Sequence, residues 1–185
     1  MVAVDCAFIA LGSNLGDRVR HFQHARMALE ETPDTVIVAA SRIYETDPIG
    51  PAGQDPYLNA VLAVETGLSP RAMLARLLEI EGEAGRVRTR DAERWGPRPL
   101  DLDLLLFGDR CLAEKGLELP HPRLHQRAFV LEPLCELAGE RIHPRLGEPL
   151  EVFRRQCADP AAVRPFSRPS GEWAVAPLHP VAVCD

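Results

Sequence analysis

The stretch Arg94-Trp95-Gly96-Pro97-Arg98-Pro99-Leu100-Asp101-Leu102-Asp103 gathers the residues of this chain best suited to chemistry. On a strand, side chains two apart point to one face with about 6.5–7 Å between their Cα atoms, so Asp101 and Asp103 aim at a common point. Paired carboxylates at the start of an apolar strand suit Mg²⁺, which takes oxygen ligands, keeps water and shares its remaining positions with substrate phosphates. Alone, such a pair is better read as a solvated strand edge whose acids discourage edge-to-edge pairing, by roughly two to one. Arg86, Arg88, Arg94 and Arg98 lie just upstream and shift the balance, because guanidinium forks match phosphate oxygens. Together they describe a metal-assisted polyphosphate site. Phosphoryl-type transfer needs mainly in-line positioning and charge neutralisation, which this set supplies without a nucleophilic side chain. No Walker sequence is present, and Gly12-Ser13-Asn14-Leu15-Gly16 is too sparse for a dinucleotide fingerprint.

Other residues are less specific on their own. His121, in Leu119-Pro120-His121-Pro122-Arg123, reads as a turn histidine or as a phosphate donor. Arg127 follows near the start of a helix, where backbone N–H groups favour anions. Tyr57 and Phe129 fit a core as well as a ligand pocket. Asn59 shares a strand face with Tyr57 and offers an amide to a flat heterocycle. Glu81, near the end of a helix, is adequately explained by a solvated face.

The elements that must position these groups alternate. Ala7–Leu11 is a buried strand ending at a Gly-Ser-Asn turn. Asp17 caps a helix with Val19, Phe22, Ala25 and Leu29 on one side. Thr35–Tyr44 is β-branched and reads as one strand. Glu45–Pro56 carries Pro48, Gly50, Pro51, Gly53 and Pro56 and is a long loop. Leu58–Thr66 is a strand, and Ser69-Pro70 opens a helix whose stripe is Met73, Leu77, Ile80 and Ala84. Arg86–Pro99 is a second long polar segment, Leu100–Phe107 a strand and Arg127–Ala138 a helix. Two strand-helix-strand units predict an α+β ferredoxin-like sandwich, an antiparallel sheet with helices on one face and two long loops closing over the active site.

The 185 residues fit one domain, residues 1–166, followed by a tail, 167–185, of different composition. Net charge is −6, so a broad nucleic-acid face is disfavoured, although residues 86–98 hold five arginines against two acids. No apolar run approaches the roughly 20 residues of a spanning helix, and no signal-like segment opens the chain. A cytoplasmic monomer acting on small molecules, with neither nucleic acid nor membrane as partner, is the expectation. Five scattered cysteines without a CxxC pair read as reduced thiols.

The ordered blocks Phe8–Gly16, Tyr44–Gly50, Tyr57–Ala60, Gly85–Arg88 and, above all, Arg94–Asp103 resemble the 6-hydroxymethyl-7,8-dihydropterin pyrophosphokinase family over roughly Phe8 to Phe166. The resemblance implies transfer of pyrophosphate from ATP to the pterin hydroxymethyl group, with attack at the β-phosphorus and loss of AMP, a step of folate synthesis. It implies Asp101 and Asp103 as ligands of two Mg²⁺ ions bridged to ATP. Arg86 and Arg98 take the place of loop arginines that reach the triphosphate, Arg88 that of a nucleotide contact, and His121 and Arg127 those of phosphate ligands. Trp95 matches a tryptophan sealing the pterin side, Tyr57 and Phe129 the aromatics that sandwich the pterin, and Asn59 with backbone near Thr46 and Ile49 the groups reading its polar edge.

The chain departs from the family pattern in three places. Pro122 stands where some members have tyrosine, Thr89–Glu93 is longer than in some members and lacks lysine, and the tail has no match. Two other classes fit parts of the pattern. A different Mg²⁺-dependent nucleotidyltransferase or phosphodiesterase would act without a pterin, and a non-catalytic nucleotide-sensing module would bind ATP without metal.

Overall fold

The computed structural model describes residues 4–48, 53–86, 96–159, 161–167 and 173. Strand β1 (Asp5–Ser13) leads into helix α1 (Arg18–Glu30), whose first turn is capped by the Asp17 carboxylate accepting from Arg20 N at 3.2 Å. Strands β2 (Thr35–Ala40), β3 (Tyr44–Thr46) and β4 (Tyr57–Thr66) follow. Helix α2 (Pro70–Glu83) starts as its sequence dictates, with Ser69 Oγ accepting from Ala72 N and proline in the first turn.

Strand β5 (Asp101–Phe107) completes the main sheet core, and β6 (Leu112–Glu114) pairs with β7 (Leu117–Leu119) in a separate hairpin. A 3₁₀ turn (Leu124–Gln126), helices α3 (Ala128–Ala138) and α4 (Leu150–Gln156) and strand β8 (Val163–Pro165) close the described chain. The sheet order β5-β1-β4, with β2 and β3 both on the far side of β4, is antiparallel throughout. This is the ferredoxin-like order that the two strand-helix-strand units predict.

The period-2 alternation of the strands sorts side chains onto two faces. Ile9, Leu11, Leu62, Val64, Leu102 and Leu104 pack against Phe22 and Leu29 of α1 and Met73, Leu77 and Ile80 of α2. Phe8, Val61, Ala63 and Leu106 pack against Val130 and Leu134 of α3 and Leu150 of α4. The second layer of helices lies on the face that the ferredoxin-like pattern alone leaves bare. Its Leu and Val side chains each contribute about 1.5–3 kcal/mol on full burial.

The predicted strand Thr35–Tyr44 is two strands. Ser41 interrupts it by turning its hydroxyl into the ladder: Oγ accepts from Val61 N at 2.9 Å while Ser41 N donates to Val61 O at 2.9 Å. The chain therefore kinks after β2 and re-enters as β3 against the front half of β4. Strand β8 covers the outer edge of β3, pairing Thr46 with Val163 and Tyr44 with Pro165.

Within the tail, Trp173 packs on Phe22, ring centroids 5.5 Å apart, and donates from Nε1 to Ser41 O at 3.0 Å. Trp173→Ala is expected to lower unfolding free energy by about 2 kcal/mol, read from the urea midpoint. Cys111, Cys135 and Cys157 are free thiols. Cys6 corrects the expectation of reduced cysteines: it is disulfide-bonded. Among the described residues no helix is long and apolar enough to cross a membrane.

Candidate active site

The site is built from register. Leu102 and Leu104 are buried toward α1 and α2, so Asp101 and Asp103, alternating with them, face the other side of β5. Gly12 of β1 pairs with Asp101 on one side and Asn59 on the other, and Asn59 pairs with Tyr44, giving one row across four strands. The next row holds Asp103, Ala10 and Val61. Gly12 keeps the first row open: a Cβ there would sit 3.7 Å from both Asn59 Oδ1 and Asp101 Cβ. A shallow trough thus runs from the carboxylates to the Asn59 amide, whose Nδ2 donates to buried Thr46 Oγ1 at 2.8 Å.

Arginines crowd the carboxylate end. Asp101 is paired with Arg86 Nη1 and, at 3.2 Å, with Arg98 Nε. Asp103 Oδ2 lies 4.0 Å from Arg127 Nη1. Arg98 also covers the Tyr57 ring and Arg127 the Phe129 ring, at 5.6 and 5.5 Å from the centroids. Arg98 and Arg127 are thereby each placed beside an aromatic.

Electrostatics follow from these neighbours. Enclosure and the adjacent Asp101 carboxylate raise the Asp103 pKa. Loss of solvation lowers that of His121, with Arg127 and Arg123 acting in the same direction against the pull of Asp103. His121 N anchors its turn to Leu105 O at 2.8 Å, and its Nδ1 accepts from Arg123 N at 3.2 Å, so the neutral ring carries its proton on Nε2. Burial lowers the Arg127 pKa, reinforced by Arg123. At Arg86 burial pulls the same way, but Asp101 and Glu81 more than offset it and the net shift is upward.

A profile of the 7,8-dihydro-6-hydroxymethylpterin-pyrophosphokinase family matches residues 8–139. The chain belongs to that family. Among its relatives, the 2-amino-4-hydroxy-6-hydroxymethyldihydropteridine pyrophosphokinase of Haemophilus influenzae is 44% identical over 138 residues, 75% of this chain and 84% of that protein. The enzyme of the same name from Pseudomonas aeruginosa is 48% identical over 133 residues, 72% and 80% of the two chains. A crystal structure of wild-type Plasmodium falciparum HPPK-DHPS superposes with a TM-score of 0.65 at 14% identity, covering 83% of this chain and 43% of that longer one, and shares the fold.

On this pyrophosphokinase scaffold Asp101, Asp103, Arg86, Arg98, His121 and Arg127 converge around one end of β5, while Tyr57, Asn59 and Thr46 line the start of β4 and its β3 partner. Phe129 stands at the first turn of α3, partly buried against that face. Ile49, Arg88 and Trp95 lie outside the described residues.

Two residues acquire roles that the sequence reading did not give them. Glu81 is 1% exposed, not solvated. Its Oε1 accepts from Arg86 Nη1 at 2.5 Å and from Leu102 N at 2.8 Å, fixing an arginine and the β5 backbone together. The signal was available, because Glu81 lies four residues after Leu77 and eight after Met73, on the buried stripe of α2. Buried Asn14 holds both loop ends. Its Oδ1 accepts from Arg98 N at 2.8 Å, while Nδ2 donates to Gln54 Oε1 at 3.2 Å and Asp55 O at 3.4 Å.

Proposed function

We infer that this chain transfers the terminal pyrophosphate of ATP to 6-hydroxymethyl-7,8-dihydropterin, releasing AMP, as a step of folate biosynthesis. The observation that carries the reading is the family match over residues 8–139, which includes the whole trough from Asn59 to Asp103. The hydroxymethyl oxygen attacks the β-phosphorus, the bond from that phosphorus to the α–β bridging oxygen breaks, AMP departs with the bridging oxygen, and the hydroxyl proton is lost.

Mg²⁺ fits the donor set. Asp101 and Asp103 share a face, burial and then the neighbouring Asp101 charge raise the Asp103 pKa, and among the described residues no group of three His, Cys, Asp or Glu side chains could complete a protein-only cage. A cation held there would complete its shell with phosphate and water oxygens and neutralise charge developing on the leaving phosphate.

The chain's own residues supply position. Asp101 and Asp103 set the metal end; Arg86, Arg88, Arg98, His121 Nε2–H and Arg127 hold phosphate oxygens; Asn59, Thr46 and Ile49 read the pterin edge; Tyr57, Trp95 and Phe129 enclose its ring. Arg98 and Arg86, which pair with Asp101 in the free protein, would turn to phosphate oxygens if Asp101 held a cation, so these ion pairs are the arginines' resting positions. We place this chemistry in the cytosol, in a monomer. Purified protein with Mg²⁺, ATP and the dihydropterin is expected to form AMP stoichiometrically with product. ADP, or AMP formed without pterin, would overturn the reading.

A further inference from the structure

We propose that Arg18 is a positioning residue for the pterin side of the site, a deepening that rests on the functional reading above. Arg18 opens α1, and its Nη1 donates to two acceptors at once, Glu45 Oε1 at 3.0 Å and Pro56 O at 2.7 Å. These flank the 47–56 connection. Glu45 directly precedes Thr46, Pro56 directly precedes Tyr57, and Thr46 and Tyr57 are the last pair of the β3–β4 ladder.

One guanidinium therefore clamps both stems of the loop one step from the residues that line the trough. The β3–β4 ladder ends there, so the clamp holds its last rung together with the pairing of Thr46 to Val163 of β8, and the Thr46 hydroxyl that receives the Asn59 amide is on that rung. Glu45 alternates with Tyr44 and Thr46, so Arg18 acts from the face opposite the trough and touches no reacting atom. The clamp is itself braced, because the Arg18 guanidinium lies 5.7 Å from the centroid of Phe166, whose N donates to Ile43 O at 2.9 Å. Arg18 and Glu45 side chains are 24% and 28% exposed, sheltered enough for the pair to hold geometry.

This arrangement separates the two substrates. Asp101, Asp103, Arg98 and Arg127 are held by β5, Asn14 and α3, none of which Arg18 contacts through the bonds described. Loss of the clamp loosens Thr46, Tyr57 and Asn59 directly and reaches the phosphate end only through the Arg98–Tyr57 contact and the Asn14 bonds to Gln54 and Asp55.

The test measures binding of 6-hydroxymethylpterin by fluorescence, and separately of a methylene-bridged ATP analogue with Mg²⁺, to wild type and variants. Arg18→Met is expected to weaken pterin binding about tenfold, the loss of a charged two-acceptor clamp, while nucleotide binding changes less than about twofold. KM for the pterin rises with little change in kcat, and Arg18→Lys, which reaches one acceptor at a time, recovers part of the loss.

Arg164→Ala removes the exposed Arg164–Asp47 ion pair (2.7 Å) on the same strand edge and is expected to leave pterin binding within about twofold. Equal weakening of both ligands, unchanged pterin binding in Arg18→Met, or an equal loss in Arg164→Ala overturns the proposal. If Arg18→Met does not fold, Glu45→Gln must show the same split between ligands or the proposal fails. A wild type that binds no pterin defeats the functional reading itself, whereas binding wild type with an indifferent variant defeats only the clamp.

Discussion

Asp101→Ala is expected to lower kcat for AMP formation about a thousandfold, and Asp103→Ala to do the same, since under the function proposed above each removes one of two anionic metal ligands from a site that works by charge placement. The fold should survive either change. Arg86 keeps Glu81 as an anionic partner when Asp101 is lost, and Leu102 and Leu104 still bury the opposite face of β5. Unchanged circular dichroism with activity lost, and a matching loss in wild type when EDTA removes the metal, would check it. Retention of more than about a tenth of wild-type kcat in both variants would exclude a two-carboxylate metal site.

Asp103 adds a signature in stability. Its pKa is raised in the folded protein, so the charged form is penalised by folding, and that penalty is present above the folded pKa and relieved as pH falls through it. Asp103→Asn removes the penalty. The inactive variant should therefore melt at a higher temperature than wild type at pH 7 without metal, with the difference shrinking toward acid pH. A destabilised Asp103→Asn would show that the neighbouring arginines outweigh enclosure and like charge.

How much of this was legible in the sequence depended on how local each cause is. Asp101 and Asp103 are read from a period of two, and the connection after Thr46 from Pro48, Gly53 and Pro56, because strand geometry and φ restrictions act within a few residues, although Glu45 and Thr46, expected in that loop, belong to β3. The ends of α1 and α2 followed from Asp17 and Ser69-Pro70 for the same reason. The break in Thr35–Tyr44 was not legible, since it comes from Ser41 meeting Val61 twenty residues away.

The open row Asp101–Gly12–Asn59 likewise needs the register of three strands, although each member stood in a block that resembled the family. Register also explains why Asn14, at the end of a short turn, looked like punctuation while it ties Gln54, Asp55 and Arg98 together. Cys6 was misread because a cysteine's pairing partner is a matter of topology.

Glu81→Leu is expected to cost about 3–5 kcal/mol of stability, because it breaks a buried pair and leaves the Arg86 charge under-compensated. Arg86 is 15% exposed and would keep Asp101 and the Leu100 carbonyl but lose its more deeply buried carboxylate, while Leu102 N would lose its acceptor at 2.8 Å inside the core. Glu81→Gln keeps an acceptor for Leu102 N and should cost distinctly less. The pair also sets where Arg86 waits: with Glu81 gone, Asp101 is the carboxylate left in contact with Arg86, beside the Leu100 carbonyl at 3.3 Å, and a stronger hold on that carboxylate competes with the metal. The Mg²⁺ concentration for half-maximal rate should therefore rise in Glu81→Gln, a shift that simple loss of stability does not produce. In urea denaturation, the double variant Glu81→Leu with Arg86→Leu should recover part of the stability lost in Glu81→Leu, since the under-compensated charge is gone. If the double variant is less stable than Glu81→Leu by the full cost of Arg86→Leu alone, the two residues are uncoupled and the buried pair does not hold the Arg86 side of the site.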